Sequence, residues 1–410
     1  MAQASGAPAN RTGSRRILLW FRNDLRLRDN VIVSEAVQKV QSGEYDEVSP
    51  WGNPKTGPHR AAFLQQCVAG LRGSLQQLGS GLLVAVGGPE AVLPSALEGV
   101  APGAGLVLCQ EEVTSEELAV DAALQCAIRG QAELVRRWGP SLLHVDDLPY
   151  EQGLQDMPDV FTRFREQDAA FVAYRFLQGG EAGALARLHH YLWGSDLVAT
   201  YFDVRNGMLG GDYSTKFAPW LSAGCLSPRT IYHEVKLYEA QRVTNKSTYW
   251  ITFELLCRDF FRFYALKHGL RIFHAGGPAG LRLAWSADPE LWERWAAGRT
   301  GMPLVDANMR ELQQTGWMSN RGRQNVASYL ALDLGVDWRR GADLFEHLLL
   351  DYDVASNWGN WAAAAGLTGG RVNHFNITKQ SKDYDPAGDY IRHWLPELEN
   401  VPAARIHEPW

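Results

Sequence analysis

The sequence lacks the features that define several large protein classes. No apolar run reaches the roughly 18 residues that a membrane-spanning helix needs. The 5 cysteines are odd in number and form no CxxC pair, which argues against a disulfide framework or a zinc site and favours reduced thiols in an intracellular protein. Histidines such as His189 and His190 show no ligand spacing with carboxylates, and no GxSxG, P-loop or GxGxxG motif is present. We therefore expect no metal site and none of these catalytic signatures.

Positive charge is also scarce. The net charge of −6 excludes a uniformly basic surface, so any contacts with nucleic acid must be concentrated in one patch. Acidic residues are missing before Asp24, whereas Arg11, Arg15, Arg16 and Arg22 are present. This pattern is compatible with a chloroplast or mitochondrial transit peptide and equally with a disordered tail at 1–14.

Length and aromatic content are the positive features of the chain. Its 410 residues, 46% of them hydrophobic, are enough for two or three domains. Of 15 tryptophans, 4 precede Trp220 and 11 lie from Trp220 onward. A well-packed core explains buried aromatics, but this concentration also favours a bound aromatic cofactor or stacked bases.

The first third of the chain alternates between strand-like and helix-like segments. Strands are predicted at 15–20, 81–86, 106–109 and 141–145, and helices near 31–42, 58–78, 88–98 and 115–137. This alternation predicts an α/β domain at 15–147 with a doubly wound parallel sheet. One strand is missing, because no β-like run separates the helices near 42 and 58.

Helical periodicity dominates from about 170 onward. We predict a linker at 148–180 and an all-helical domain at 181–410, so that the fold class is α/β plus all-α.

A possible anion site lies in the segment NGMLGGDYSTKFAPWLSAGCLSP. A glycine-rich turn precedes Ser214, Thr215 and Lys216, and an apolar helix follows. Hydroxyls, a lysine and unpaired N–H groups at a helix start together suit a pyrophosphate. An ordinary helix cap with a coincidental lysine is the alternative.

The helix STYWITFELLCRDFFRFYALKHG carries a mixed polar stripe. Trp250, Glu254, Arg258 and Arg262 follow i, i+4 spacing and share one face. Carboxylate and guanidinium groups beside aromatics suit the wall of a cleft. A solvated, salt-bridged face explains the stripe nearly as well.

Two further segments carry polar groups among aromatics. In GWMSNRGRQN, residues Asn320, Arg323 and Gln324 are predicted on one helix face and Arg321 on the other. In DYDVASNWGNW, acids and amides alternate with tryptophans, as expected for partners of a polar ring edge; a turn with surface carboxylates is the alternative. The second segment supplies Asp351, Asp353, Asn357, Trp358 and Trp361.

Together these stretches resemble the photolyase/cryptochrome family. The resemblance is almost unbroken from Tyr201 to Trp410 and patchier from 16 to 165. It rests on WFRNDLRLRDN, DYSTKFAPWL, TGWMSNRGRQNVASYL, NWGNW, FNITKQSKDYDP and IRHWLPEL. The KQSKDYDP segment and the glutamine of NRGRQN are similar to the DASH branch of the family.

The resemblance implies noncovalent FAD in the helical domain. The family's FAD contacts correspond to Tyr201, Ser214, Thr215, Lys216, Phe217, Ala218, Trp250, Arg258, Asn320, Arg323, Asp351, Asp353 and Asn357. Asn357 would lie near flavin N5, where a neutral amide does not oppose the anionic reduced form. The family's electron-transfer chain corresponds to Trp361, Trp338 and Trp285, and its pterin-contacting acid to Glu112, which implies a possible folate antenna.

The resemblance also implies a substrate. In this family, light absorbed by reduced FAD transfers an electron to a cyclobutane pyrimidine dimer that has left the base stack. Contacts to that DNA correspond to Arg205, Glu254, Asn320, Arg321 and Gln324. Glu254 is expected to hydrogen-bond the dimer.

The chain departs from the family pattern at the substrate pocket. The dimer-stacking tryptophan of the family is Cys257 here, and a second aromatic wall is Ala363. Stacking contributes roughly 1–3 kcal/mol per base, so both losses weaken dimer binding. A sheet strand near 48–50 and part of the linker near 166–171 are shorter than in the family.

Three functions remain after this comparison. A monomeric enzyme that repairs dimers in single-stranded DNA is the first. A blue-light photoreceptor with little repair activity is the second, and a flavoprotein without a role for light is the third.

Overall fold

The computed structural model describes residues 16–22, 24–26, 56–78, 82–84, 87–148, 150, 154–155, 157, 159 and 179–410. The predicted helix at 31–42 and the two shortened stretches lie outside these residues. In the described part of the chain no helix is long and apolar enough to cross a membrane.

A three-stranded parallel sheet forms the described part of the first domain. Strands β1 (Arg16–Trp20), β2 (Gly105–Gln110) and β3 (Ala132–Arg137) lie in that order. Val107 of β2 pairs with Leu18 and with Leu134, and it is fully buried. A central strand that is buried on both faces has a continuous apolar sequence, which explains why the apolar run at 106–109 predicts a strand. The predicted parallel sheet is confirmed.

The predicted helix at 115–137 is wrong in its second half. The helix that begins at Ser115 ends at Ala127, and β3 follows it. Between this helix and β3 the chain turns at Gly130, whose φ of +82° lies in the left-handed region that glycine tolerates best. Because β3 pairs with β2 along its whole length, sheet pairing outweighs the helical periodicity of the segment.

Two predicted strands are not among the three strands of the described sheet. In the segment 81–86 the structure describes 82–84, where Leu83 and Val84 are exposed instead of buried. The segment 141–145 is a turn that leads into a 3₁₀ helix at Val145–Asp147. Its amides bind a side chain of the second domain instead of a neighbouring strand, as described below.

Helices are the main regular secondary structure in the rest of the described chain. The first domain contains α1 (Pro58–Gln77), α2 (Pro89–Ala96) and α3 (Ser115–Ala127). The described residues 179–410 form helices α4 (Glu181–Leu188), α5 (Tyr201–Val204), α6 (Ala218–Ser222), α7 (Pro228–Gln241), α8 (Lys246–His268), α9 (Pro289–Ala296), α10 (Pro303–Thr315), α11 (Asn320–Ser328), α12 (Trp338–Leu348), α13 (Val354–Ala364), α14 (Ile377–Tyr384) and α15 (Asp389–Trp394). The prediction of a helical second half is confirmed.

Helix α8 is the central element of this half. Its N-terminus is capped by Asn245, whose side chain accepts hydrogen bonds from the amides of Ser247 and Thr248. Its C-terminus is followed by Gly269 at φ +51°. The helix is apolar around most of its circumference, and it packs against α7 on one side and α13 on the other. This packing lets α8 supply one long wall of a cavity.

A turn of the first domain is held by polar side chains of the second. The Asp259 carboxylate accepts hydrogen bonds from the amides of Leu142 at 3.0 Å and Leu143 at 2.8 Å. Arg258 donates to the carbonyl of Pro140 at 2.8 Å, and Arg229 donates to that of Ser141 at 3.0 Å. The two domains therefore share buried hydrogen bonds, and this interface fixes the position of α8.

Candidate functional site

A cavity of about 610 Å³ lies among the helices of the second domain. Most of the residues predicted as cofactor or substrate contacts line it. These are Tyr201, Arg205, Ser214, Thr215, Lys216, Phe217, Ala218, Trp250, Glu254, Cys257, Arg258, Asn320, Arg321, Arg323, Gln324, Asp351, Asp353, Asn357 and Trp361. Segments separated by up to 160 residues thus meet around one space, as expected for a site that encloses a large ligand.

Lys216 supplies a buried amine to the cavity wall. Only 6% of the residue is exposed, and its Nζ lies 3.8 Å from the ring centre of Tyr213 and 4.2 Å from that of Trp317. Burial lowers the pKa of Lys216 to about 7. Its φ of +59° is an unusual backbone conformation for a residue with a side chain. A strained, desolvated lysine of this kind gains most when an anion binds beside it.

Arg187 holds the backbone of the loop before Lys216. Its guanidinium donates to the carbonyls of Gly211 at 2.9 Å, Ser214 at 3.1 Å and Thr215 at 3.3 Å, and it pairs with the Asp212 carboxylate. The planar, multidentate guanidinium suits this role because it bonds several acceptors in one plane. The hydroxyls of Ser214 and Thr215 are thereby placed beside the lysine.

Arg323 and Asp351 form a bidentate ion pair in the cavity wall. Nη2 of Arg323 lies 3.0 Å from Oδ1 and 2.9 Å from Oδ2 of Asp351, whose side chain is 3% exposed. Nε of the same arginine donates to the carbonyl of Met318 at 2.9 Å. Of the two acids Asp351 and Asp353, it is Asp351 that accepts hydrogen bonds from Arg323.

Asp353 pairs with two other arginines. Its Oδ2 lies 3.7 Å from Arg258 and 3.7 Å from Arg262, and its Oδ1 caps α13 through the amide of Ser356. Burial acts to raise the pKa of Asp353, but the two guanidinium groups outweigh burial and hold it below its usual value. Asp353 is therefore an anion at neutral pH, able to accept a hydrogen bond from a ligand N–H.

Arg262 does not line the cavity, although its i, i+4 spacing suggested the same face as Trp250. The α-helical repeat of 3.6 residues rotates each i, i+4 step by about 40°, so the fourth residue of the stripe has moved off the face. Arg262 instead donates to Oε2 of Glu112 at 2.9 Å. Oε1 of Glu112 accepts a hydrogen bond from Gln110 at 3.1 Å, and the residue is 2% exposed. Both oxygens of the acid that corresponds to the family's pterin contact are thus bonded within the protein.

Glu254 and Tyr201 form a hydrogen-bonded pair at the cavity wall. The Tyr201 hydroxyl donates to Oε2 of Glu254 at 2.6 Å. Burial raises the pKa of Glu254 above its ordinary value, although Tyr201 and Arg205 act in the opposite direction. A carboxyl with a raised pKa can carry a proton and donate a hydrogen bond to a ligand oxygen.

Aromatic rings surround this glutamate. Trp250 stacks on Phe253 with centroids 4.4 Å apart and planes at 21°, and the Arg205 guanidinium lies 4.4 Å above Trp250. Phe253 lies one turn before Cys257 and Phe261 one turn after it, and both phenylalanines line the cavity. The cavity wall near Cys257 therefore retains aromatic rings that the sequence comparison had not identified.

Two predictions about individual substrate residues need correction. Arg321 lines the cavity together with Gln324, and its Nη1 donates to Oε1 of Gln324 at 2.8 Å, so the two are not on opposite faces. Positions i and i+3 of a helix are neighbours, which explains the contact. At the other wall Ala364, and not Ala363, is among the lining residues. It is three residues after Trp361, and this i, i+3 spacing places both on one face of α13.

The three tryptophans of the predicted electron-transfer chain lie in two groups. Trp361 lines the cavity. Trp338 and Trp285 lie together, because their indole N–H groups donate to the same carbonyl of Ala275 at 3.2 and 3.1 Å. Trp338 is fully buried and Trp285 is half-buried. The pair thus leads from the core towards the surface.

Several contacts of the site were not predicted from the sequence. Arg187 bonds backbone carbonyls, and Arg262 bonds the distant acid Glu112. Nothing in the sequence around either arginine indicates these contacts. Phe253 and Phe261 follow the i−4 and i+4 spacing from Cys257, a signal that was available. Glu311 is a further unpredicted group, which interacts electrostatically with Lys216. It accepts a hydrogen bond from Tyr390 at 2.6 Å, and burial raises its pKa to about 7.

Comparisons with known proteins agree with this geometry. Residues 17–173 match the family model "DNA photolyase", and residues 250–410 match "FAD binding domain of DNA photolyase". The chain belongs to the photolyase/cryptochrome family, and it binds FAD. The cavity suits this cofactor, because a buried lysine, hydroxyls and acids line a single cavity.

The relatives are of the DASH type. A cryptochrome DASH of Ostreococcus tauri, described as chloroplastic/mitochondrial, is 47% identical over 97% of this chain and 87% of its own length. One from Gloeobacter violaceus is 46% identical over 96% of this chain and 88% of its own. The crystal structure of a Synechocystis cryptochrome superimposes with a TM-score of 0.91 at 44% identity, covering 98% of this chain and 92% of that one.

Proposed function

We propose that this chain is a light-driven DNA photolyase that splits cyclobutane pyrimidine dimers, chiefly in single-stranded DNA. The observation that supports this most is the position of Glu254. It lies in the wall of the same cavity as Lys216, Arg323, Asp351 and Asp353, which suit a flavin dinucleotide. A substrate that contacts Glu254 is therefore next to the cofactor.

The residues of the chain have distinct roles in this proposal. Lys216, Ser214 and Thr215 hold the pyrophosphate, and Asp351, Asp353 and Asn357 bond the flavin ring. Bound FAD supplies the light absorption and the electron. Glu254 orients the dimer by a hydrogen bond that its raised pKa allows it to donate, and it disperses the negative charge that develops there. Arg205 and Arg321 contact the DNA, and Gln324 and Asn320 position the dimer.

Single strands are favoured because the pocket offers limited stacking. Cys257 replaces a large ring, and Phe253 and Phe261 only flank it. Removing a dimer from a duplex costs a few kcal/mol of unpairing and unstacking. A pocket that recovers less than the roughly 1–3 kcal/mol per base of a full aromatic platform acts best where this cost is already absent.

Anaerobic illumination tests the proposal directly. The reduced protein is mixed with a single-stranded oligonucleotide that contains one dimer, and dimer loss is scored against a dark sample. We expect loss only in the light, with a smaller rate on the matching duplex. No loss from either substrate, with full FAD occupancy, would rule out repair.

A photoreceptor with little repair activity is the second candidate, favoured by the small residue Cys257. It would show a light-dependent change in the protein, such as altered proteolysis, without dimer loss. The same illumination experiment separates the two functions.

We further propose a chloroplast or mitochondrial location, which the name of the Ostreococcus tauri relative and the arginines before Asp24 support, with the cytoplasm or nucleus as the alternative. We also propose that the protein is a monomer and that its two domains end and begin near residues 147 and 180. A folate is proposed as an antenna pigment. Glu112 would contact the antenna through its remaining lone pairs, since each of its oxygens already accepts one hydrogen bond within the protein.

A further inference from the structure

The nearest tryptophan ring to Trp361 belongs to a helix outside the predicted electron-transfer chain. Trp361 contacts Trp295 edge-on, with centroids 6.0 Å apart and planes at 74°. By comparison, the tryptophan contact of Trp338 is with Trp358, at 5.7 Å. Trp295 is fully buried, and its indole N–H donates to the carbonyl of Val326 at 3.0 Å.

A third tryptophan, Trp292, connects Trp295 to the protein surface. Trp292 lies three residues earlier on α9 and stacks on Trp295, with centroids 5.5 Å apart and planes at 30°. Trp292 is half-buried, so one end of the series reaches solvent. Trp361, Trp295 and Trp292 therefore form a continuous series of indoles from the cavity wall to the protein surface.

We propose that Trp361, Trp295 and Trp292 form a second electron-transfer route to the flavin, which branches at Trp361 from the route through Trp338 and Trp285. When the photoexcited oxidised flavin removes one electron from Trp361, one electron from Trp295 refills it and one from Trp292 refills Trp295. A thiol in solution then reduces Trp292. Each hop between indoles moves one electron and breaks no bond. The thiol loses one electron from sulfur and its S–H proton to solvent, and two of the resulting thiyl radicals combine to a disulfide. The proposal rests on the bound flavin and is independent of dimer repair.

Arg340 controls how far the branch is used. Its guanidinium carbon lies 4.4 Å above the Trp292 ring, and in the described structure its Nε is buried without a hydrogen-bond partner. A positive charge above the ring opposes the positive charge that Trp292 acquires when it gives up an electron. Arg340 therefore disfavours oxidation of Trp292, and the acids Asp337 and Glu293 that interact with Arg340 act in the opposite direction.

The test uses the FAD-loaded protein with oxidised flavin, illuminated without oxygen in the presence of dithiothreitol. The rate of flavin reduction and the transient absorption of tryptophan radicals are measured in Trp338→Phe, in Trp338→Phe with Trp292→Phe, and in Trp338→Phe with Arg340→Gln. We expect Trp338→Phe to retain a residual rate, and the added Trp292 change to remove most of it together with the long-lived radical signal. The Arg340 change should raise the residual rate about fivefold, the effect of one charge at this separation under aqueous screening.

Controls separate loss of electron transfer from loss of structure. FAD occupancy, read from flavin absorbance, must be equal in all variants. Trp193→Phe, which removes a half-buried indole that packs against Tyr238, should leave the residual rate unchanged in the Trp338→Phe background. Equal residual rates with and without Trp292, or an unchanged rate in the Arg340 variant, would overturn the proposal.

Discussion

The two walls of the cavity are built on different principles. The flavin-side wall, which contains Lys216, Arg323, Asp351 and Asp353, consists of charged groups held by other charged groups or by rings. The substrate-side wall contains Glu254 and Cys257, and rings and one small side chain dominate it. In the first wall each group fixes its neighbour, so a single change leaves a charge without a partner. In the second wall most neighbours only pack, so single changes should cost less and some should be gains.

The largest effect is expected for Asp351→Ala. It leaves the Arg323 guanidinium without its bidentate partner, and breaking a buried ion pair from one side costs about 3–5 kcal/mol. Because Arg323 is 28% exposed, we expect the lower part of this range, which is about a hundredfold in FAD affinity. Flavin titration followed by fluorescence measures it.

Glu397→Ala is the matched control for this change. It breaks a bidentate pair with Arg310 at 2.6 and 3.0 Å on the exposed surface, where ion pairs contribute little. Equal FAD affinity in the Asp351 variant and the native chain would mean that the charged groups of the flavin-side wall do not depend on one another.

The next effect concerns Trp361→Phe. Phenylalanine is much harder to oxidise than indole, and both proposed routes begin at Trp361. We expect flavin photoreduction to slow by more than about tenfold, which requires a barrier increase of only about 1.4 kcal/mol. Transient absorption measures the rate, with flavin occupancy as the control. An unchanged rate would show that electrons reach the flavin without Trp361.

Glu254→Gln tests the carboxyl of the substrate-side wall. The amide keeps the shape and can still donate a hydrogen bond, but it cannot carry the proton that the raised pKa of Glu254 allows. We expect repair yield to fall by up to roughly tenfold, and by more than dimer affinity falls. Binding and yield are measured on the same oligonucleotide. A loss confined to binding would contradict this role.

Lys216 makes FAD affinity depend on pH. Burial lowers its pKa to about 7, and a bound pyrophosphate favours the charged form. Below about pH 7 the lysine is already protonated; above it, binding must take up a proton. Affinity should therefore be flat at low pH and then fall by up to about tenfold per pH unit.

Glu311 titrates in the same range and faces the lysine, with a pKa of about 7. Isothermal titration from pH 6 to 9 should show the slope in the native chain and in Glu311→Gln. The slope should disappear in Lys216→Arg. If the slope disappears in Glu311→Gln instead, the proton is taken up by the Glu311 carboxyl.

The smallest expected effect is a gain from Cys257→Trp. The added ring would join Phe253 and Phe261 as a stacking surface, and stacking is worth roughly 1–3 kcal/mol per base. Because those phenylalanines already supply part of it, we expect no more than about tenfold higher affinity for a dimer in single-stranded DNA. Binding to single- and double-stranded dimers measures it. Efficient duplex repair by the native chain with no gain from tryptophan would show that stacking at Cys257 does not limit binding.

Sequence patterns predicted the residues of the cavity better than their pairing. Ser214 to Ala218 and Trp250 to Arg258 are consecutive or one turn apart, so their shared location follows from local geometry. The contacts of Arg187 with Gly211 and Ser214 depend on how distant segments fold back, which no spacing encodes.

The strand β3 shows the same limit. AELVRR follows a helix and continues its periodicity, but its pairing partner β2 precedes it by 27 residues. Local propensity was outweighed by a contact that only the folded chain makes. The turn at 141–145 was read as a strand for the same reason, because its partner Asp259 is more than 100 residues away.

The bond between Asp259 and that turn makes the two halves depend on each other for stability. Burial raises the pKa of Asp259 to about 6, and the amides of Leu142 and Leu143 offset that cost only while both halves are folded together. A helical half made alone would leave a desolvated acid at its surface, and the first half would lose acceptors for two amides. The two sequence-matched regions are therefore not interchangeable modules: heat should unfold them in one transition, and the light-absorbing half cannot be transplanted without its neighbour.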